Sequence, residues 1–539
     1  MRALLVTSVG VTCAAALTLP LAAPALSAPA AHSASARPPS LSPGSPGSGP
    51  PSARADGAPA EANEATAPAE ANEATAPAEA NEATAPAEAN EAAAPAEATA
   101  PETAAPPRTR EARADALAGS TQSLPLEPLA APSDRAGGQA ASGQGLDRRT
   151  ARPFSLVGVV WDDAEAELHG TVQVRTRATG STSWSDWQDV ETHNAEHAAD
   201  LDSAERASGA ARGATAPLWV GDSDGVEVRV LPEAADPRHP SAAPPLPEGL
   251  RLELVDPGED PVPQPADDTI GRTVTQAIFA GNPVPPTTAG VPEVLTAESA
   301  AASAVNADLA PLGAAVIPAL TQAESAEDSA IAAAGARPYI GPRPKIITRK
   351  GWGADEKLRE RNFAYTRTVK AAFVHHSASG NNYTCKQAPS LLRSIYRYHV
   401  KSSGWRDFGY NFAVDKCGNI YEGRAGGVAK AVLGAHTLGF NTNTMGVAVL
   451  GTYSSTNPPA AAVTGVAKLT AWKLGLFGAN PKGKVTLVSG GSGKYAKGRK
   501  VKMNVISGHR NAFATECPGA RLYKKLGKTR TTSAKLQGR

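Results

Sequence analysis

The chain is short of cysteine, with 4 in 539 residues, and it is short of long apolar runs. Only the first segment, Met1-Arg2 followed by an apolar stretch to about Leu26, resembles a membrane-directed sequence. Pro20 and Pro24 interrupt it and small residues from Ala25 to Ala30 offer a cleavage site, so it reads as a secretory signal over residues 1–28. Nothing later approaches the roughly 20 apolar residues of a spanning helix, which argues against a stable membrane anchor. Cys13 lies inside the signal and is lost with it. Cys385, Cys417 and Cys517 remain, an odd number for an oxidising compartment, so one of them needs a role other than pairing.

Large apolar residues are scarce in the first third. Residues 29–150 are rich in Ala, Pro, Glu and Thr, which cannot bury enough surface to offset chain entropy. A nine-residue unit, Glu-Ala-Asn-Glu-Ala-Thr-Ala-Pro-Ala, starts at Glu61, recurs at Glu70 and Glu79, and returns nearly intact at Glu88. It has nothing for stacked repeats to pack, so it reads as an acidic, disordered tether.

What is present is divided sharply by charge. Residues 344–539 hold 33 Lys and Arg against 7 Asp and Glu, a net of +26. The remainder holds 53 − 33 = 20 against 52 − 7 = 45, a net of −25. The basic part calls for an anionic partner, either a nucleic acid or an anionic cell wall. The signal, and the lack of any nucleic-acid-binding motif, favour the wall.

Residues 151–257 contain alternating runs such as Val226-Glu-Val-Arg-Val230 and Leu250-Arg-Leu-Glu-Leu254. Period two with turn-rich separators predicts a small all-β domain. Trp184, Trp187 and Trp219 are candidates there for sugar stacking or for packing. Residues 258–343 return to Pro- and Ala-rich sequence and read as a linker.

From residue 344 strands and helices alternate. Ala371–His376 is a short apolar strand ending in two histidines, and Pro389 opens a helix that carries Leu392, Ile395, Tyr396 and His399 on one face. Runs 409–414 and 420–422 flank a hairpin turn, and Met445–Leu450 is apolar throughout, as in a strand covered on both faces. A second helix runs from Pro459 to near Gly478, followed by a Gly/Lys-rich loop, 489–502. The class is α/β with a mixed sheet and flanking helices.

His509 and Cys517 stand eight positions apart, after the apolar Val505-Ile506 and before Pro518-Gly519. Imidazole and thiolate both bind zinc, and a catalytic site takes three protein ligands and leaves a position for water. His375, at a strand end, is the best third ligand, because adjacent strand residues face opposite ways. Tyr410 is a candidate either to donate a hydrogen bond to a carbonyl under attack or simply to pack as a half-buried strand tyrosine. His436, on a glycine-rich loop, is a candidate substrate contact, and His399 belongs to the core.

These parts resemble the peptidoglycan recognition protein domain shared with zinc N-acetylmuramoyl-L-alanine amidases. The resemblance covers 344 to about 530 and leaves 531–539 as a tail. It rests on ordered blocks: Arg343 to Glu356, Val374-His375-His376-Ser377, Gly404-Trp405 to Phe412, Ile420 to Arg424, Leu433-Gly-Ala-His436, Gly446 to Val449, and Gly508-His509-Arg510 through Cys517-Pro518-Gly519.

Carried over, the resemblance implies Zn2+ on His375, His509 and Cys517, with Tyr410 catalytic, Thr515 assisting and His376 structural. Trp405 joins His436 as a substrate-contact candidate, and Cys385 and Cys417 pair. The implied protein is secreted and cell-wall associated, cleaving the amide between N-acetylmuramic acid and L-alanine of peptidoglycan. A non-catalytic peptidoglycan-binding module is the alternative, made less favoured by the complete ligand set. The insertion-like loop and Ala425-Gly-Gly-Val428 leave stem-peptide preference open.

Overall fold

In the computed structural model, residues 119–129, 143–192, 194–233, 244–260, 295–332 and 339–539 are described. The signal segment and the nine-residue repeats lie outside them. Among the described residues no helix is long and apolar enough to cross a membrane.

Alternating residues build the middle domain as one antiparallel sheet. Its strands are β1 (Ser120–Pro125), β2 (Gln144–Trp161), β3 (Gly170–Ala178), β4 (Gln188–Val190), β5 (Leu218–Pro232) and β6 (Arg251–Asp256), in the order β1-β6-β2-β5-β3-β4. The inward set of β3 and β5, Val172, Val174, Val226, Val228 and Val230, is buried with Leu252 and Leu254 of β6. The domain therefore starts before residue 151. β1 and most of the first half of β2 lie in sequence read as tether, where Pro and small residues masked a pairing supplied by β6 and β5. Trp184 and Trp187 are half-buried beneath arginines, with Arg148 over Trp184 at 5.1 Å and Arg229 over Trp187 at 4.2 Å. Trp219 is buried.

The stretch read as a linker also carries structure: helices α1 (Ala297–Ala304) and α2 (Gln322–Ala332), and β7 (Val316–Ile317). Arg343 ties it down by an ion pair with Asp328 at 2.7 Å.

The C-terminal sheet comprises β7, β8 (Ile346–Ile347), β9 (Ala371–His376), β10 (Phe412–Val414), β11 (Ile420–Glu422), β12 (Thr444–Val449) and β15 (Ile506–Gly508). Its order is β15-β9-β12-β10-β11-β8-β7; the pairs of β9 with β12 and β15 are parallel, and β10 with β11 is antiparallel. A separate hairpin, β13 (Lys484–Val488) with β14 (Lys500–Asn504), takes in the end of the basic loop.

The central strands are buried on both faces, and their side chains alternate between two cores. Val374, Val447 and Val449 meet Val466, Leu469 and Trp472 of helix α4 (Ala460–Leu476) and Leu526 of α5 (Leu526–Leu536). The expected tail is thus mostly α5, where Ser533 Oγ lies 3.1 Å from Thr470 Oγ1 of α4. On the other face, Ala413 and Ala448 meet Leu391, Leu392 and Ile395 of α3 (Ala388–Arg397).

The same cluster includes Leu156, Val160, Trp219 and Val255 of the middle domain, so the two domains share a core. Tyr398, in the π-helical turn after α3, donates to Thr215 O at 3.1 Å, and Ser402 donates to Glu253 at 2.9 Å. The block from Arg343 to Glu356 anchors the hairpin: the buried Arg349 pairs with Glu356 at 2.7 Å and Asp407 at 3.0 Å, and Trp352 Nε1 donates to Glu422 O at 2.7 Å.

Candidate metal centre and cleft

Parallel strands deliver ligands at their C-terminal ends. β9 finishes with His375 and His376, and β15 stops at Gly508, so that His509 emerges beside it. The turn from His509 folds back because Arg510 N donates to Cys517 O at 2.9 Å, which returns Cys517 to the strand ends. Cys517 Sγ lies 3.7 Å from His375 Nδ1. His375, His509 and Cys517 are therefore brought together as expected, all buried.

A fourth residue joins them. His197, on the segment between β4 and β5 of the middle domain, places Nε2 3.2 Å from His509 Nδ1. Potential ligand atoms of His197, His375, His509 and Cys517 all lie within 4.8 Å of one another. Burial holds the His197 imidazolium form down, to about 3, and pushes His375 and His509 well below the usual histidine range. Neutral imidazole is the ligand form. Burial pushes the Cys517 thiol up, so its thiolate needs a cation nearby. His509 Nε2 and His197 Nδ1 are buried without a hydrogen-bond partner.

Tyr410 is 4% exposed, its ring 5.2 Å from that of His375 and 5.9 Å from that of His197. Burial raises its phenol well above the usual range, which keeps it a donor. Thr515 is half-buried, and its Oγ1 accepts from Cys517 N at 3.1 Å. His376 faces away and accepts from Tyr453 N at 3.2 Å, a packing contact. A cavity of about 440 Å³ adjoins the cluster, lined by Tyr410, Thr515, Cys517 and His376, with His197 and Asn194 on its middle-domain side.

Two expected substrate contacts are placed elsewhere. His436 is fully buried beneath His375, with Nδ1 3.0 Å from Thr437 Oγ1. Trp405 is 8% exposed and stacks on His399, ring centroids 4.4 Å apart. Neither lines the cavity beside the cluster. Glycine-rich surroundings suggested accessibility for His436, yet Gly434 and Gly446 are the space its ring packs into. Cys385 and Cys417 form the disulfide, tying the approach to α3 to the hairpin turn.

The donor set suits zinc: borderline-soft nitrogen and sulfur, all buried and convergent. Tetrahedral zinc with Zn–N of about 2.1 Å and Zn–S of about 2.3 Å sets ligand edges of about 3.4 Å between nitrogens and about 3.6 Å from nitrogen to sulfur. The observed 3.2 and 3.7 Å are close to those edges, in a cluster whose ligand atoms lie within 4.8 Å of one another.

The N-acetylmuramoyl-L-alanine amidase family matches residues 365–520. Peptidoglycan-recognition protein SC1a of Drosophila melanogaster is 30% identical over 188 residues, 35% of this chain and 87% of that protein. The chain belongs to the peptidoglycan-recognition protein and amidase family. Within that family, human N-acetylmuramoyl-L-alanine amidase is 31% identical over 190 residues, 34% of this chain and 28% of the human protein. The structure of peptidoglycan recognition protein-LE in complex with tracheal cytotoxin is 28% identical and aligns with 34% of this chain and 92% of its own, with a TM-score of 0.27. Residues 101–247 match a second family, described as Rv3811 N-terminal galactose-binding domain-like. The amidase-family match begins well after His197, which lies inside the second one.

Proposed function

We propose that the chain is a secreted, cell-wall-associated, zinc-dependent N-acetylmuramoyl-L-alanine amidase that hydrolyses the amide between N-acetylmuramic acid and L-alanine of peptidoglycan. The observation that carries this reading is the convergence of His375, His509 and Cys517 beside a buried tyrosine and a cavity.

His375 and His509 as neutral imidazoles and Cys517 as thiolate are the residues that would hold the ion. Zinc at that position supplies Lewis acidity, polarising a carbonyl and making water more acidic. Tyr410 donates its phenol hydrogen to the scissile carbonyl oxygen as negative charge builds there, an interaction stronger in the transition state than in the ground state. Thr515, its oxygen already accepting from Cys517 N, keeps its hydroxyl hydrogen for the same region. The net charge of +26 over 344–539 draws the chain to an anionic wall at long range, with salt weakening the effect.

The test uses the full-length chain on purified peptidoglycan. Release of new L-alanine amino termini is expected with one zinc per chain, and is abolished by a chelator, by Cys517→Ala and by His375→Ala. Release that survives the chelator and both substitutions would sink the site. Tight wall binding with bound zinc but no release in any form of the chain would return the reading to a recognition module.

A further inference from the structure

A catalytic zinc site keeps a position open, and a structural one closes it with a fourth protein ligand. Here a fourth candidate donor, from the middle domain, stands beside the three. His197 is 5% exposed, its ring lies 4.5 Å from that of His509 and 5.2 Å from that of His375, and its Nε2 points at His509 Nδ1. Its distance to His509 is near the edge for two nitrogens on a tetrahedral ion, and the separation of Cys517 from His375 is near that for a nitrogen and a sulfur, within a cluster whose ligand atoms lie inside 4.8 Å of one another.

His197 is not a loose side chain that wandered in. Segment 194–205 is fastened along the C-terminal domain on both sides of it. Glu196 O accepts from Leu438 N at 2.9 Å, and Ala198 O accepts from Asn441 Nδ2 at 2.8 Å. Asp200 Oδ1 accepts from Gly439 N and from Asn441 Nδ2, both at 2.8 Å. Glu205 takes both ends of the buried Arg424 guanidinium, at 2.7 and 3.0 Å. Beyond His197 the segment borders a second cavity, of about 720 Å³, which Arg424, Asn441 and Gly439 also line. The segment thus runs from the metal cluster at His197 along this second cavity.

We propose that His197 is a fourth protein ligand of the metal centre, delivered by the middle domain, and that it holds the enzyme latent until segment 194–205 withdraws. The inference rests on the reading that His375, His509 and Cys517 hold zinc. Four protein ligands leave no position for water or for the scissile carbonyl, so hydrolysis requires His197 to leave.

Cobalt(II) in place of zinc, in the full-length chain, reports the ligand set without reference to activity, since the intensity and position of its visible bands follow coordination number and donor type. The wild-type chain is expected to show the intense bands of four-coordinate cobalt with a thiolate ligand. In His197→Ala one cobalt per chain is retained, the visible bands weaken and shift, and a chelator strips the metal at least about tenfold faster, the low end of what losing a single supporting interaction costs. Peptidoglycan hydrolysis by the zinc form of this variant rises over wild type. His197→Gln, closer in size, repeats the test should the alanine variant fold poorly. The pair Asp200→Asn with Glu205→Gln, which leaves His197 in place, raises hydrolysis by loosening the segment.

Unchanged bands and an unchanged stripping rate in both His197 variants would overturn the assignment. So would hydrolysis that falls in them, because His197 would then be serving the reaction. If instead Cys517→Ala leaves the wild-type cobalt spectrum intact, the three-ligand centre itself is wrong and both readings fall together.

Discussion

Tyr410 illustrates what a single atom contributes here. Its phenol is buried beside the ring of His375 and kept protonated by that burial. Tyr410→Phe is expected to bind zinc as wild type does and to melt at a similar temperature, while kcat falls about 10²- to 10³-fold, the usual cost of losing one oxyanion donor. Metal analysis and steady-state rates on the same preparation check this, and lost zinc would mean that Tyr410 is structural. At this scale much was legible in the sequence. His375, His509, Cys517 and Tyr410 were candidates by residue type and by position at strand ends or beside a hairpin, and the ordered blocks of the family resemblance joined them into one set. His197 carried no such signal: it sits on an irregular segment 312 positions before His509, and only tertiary docking joins them. His436 misled for the opposite reason, since glycine neighbours can mean close packing of a ring as readily as an open loop, and Trp405, which the resemblance suggested, stacks on His399.

Among the elements, the approach to α3 and the β10–β11 hairpin are stapled by Cys385–Cys417, with 32 positions between the two cysteines. Closing a loop of that length restricts the unfolded chain by about 3–4 kcal/mol. Cys385→Ser with Cys417→Ser is expected to lower the urea midpoint accordingly and to leave zinc content unchanged, because neither sulfur is near the ligand cluster. Loss of zinc in that variant would show instead that the staple positions the site. The strands and helices of the C-terminal domain were legible because apolar periodicity is strong where a strand is buried on both faces. Those at 120–150 were not, because short runs rich in Pro, Ala and Ser look like tether until a partner supplies the pairing, and the helices at 297–332 showed only as a helical tendency within a stretch read as linker. The helix at 526–536 was read partly as tail because its buried positions are Leu526, Thr529, Ser533 and Ala534, a weak apolar signal.

Across the whole molecule, the two domains meet through a core rather than a polar seam: Trp219, Leu156, Val160 and Val255 from one side, and Leu391, Leu392 and Ile395 from the other. Calorimetry is expected to show residues 119–260 and 339–539 melting in one cooperative transition, as elements sharing one core do. Two resolved endotherms would contradict the shared core. Because that contact is apolar and continuous, separating the domains would bare greasy surface to water. The segment over the metal centre, by contrast, is held by a handful of polar contacts. On the proposed reading, access to the metal would therefore be a peeling motion of one loop on a fixed frame, expected on the microsecond-to-millisecond scale of loop rearrangement, and not a swing of one domain about a hinge.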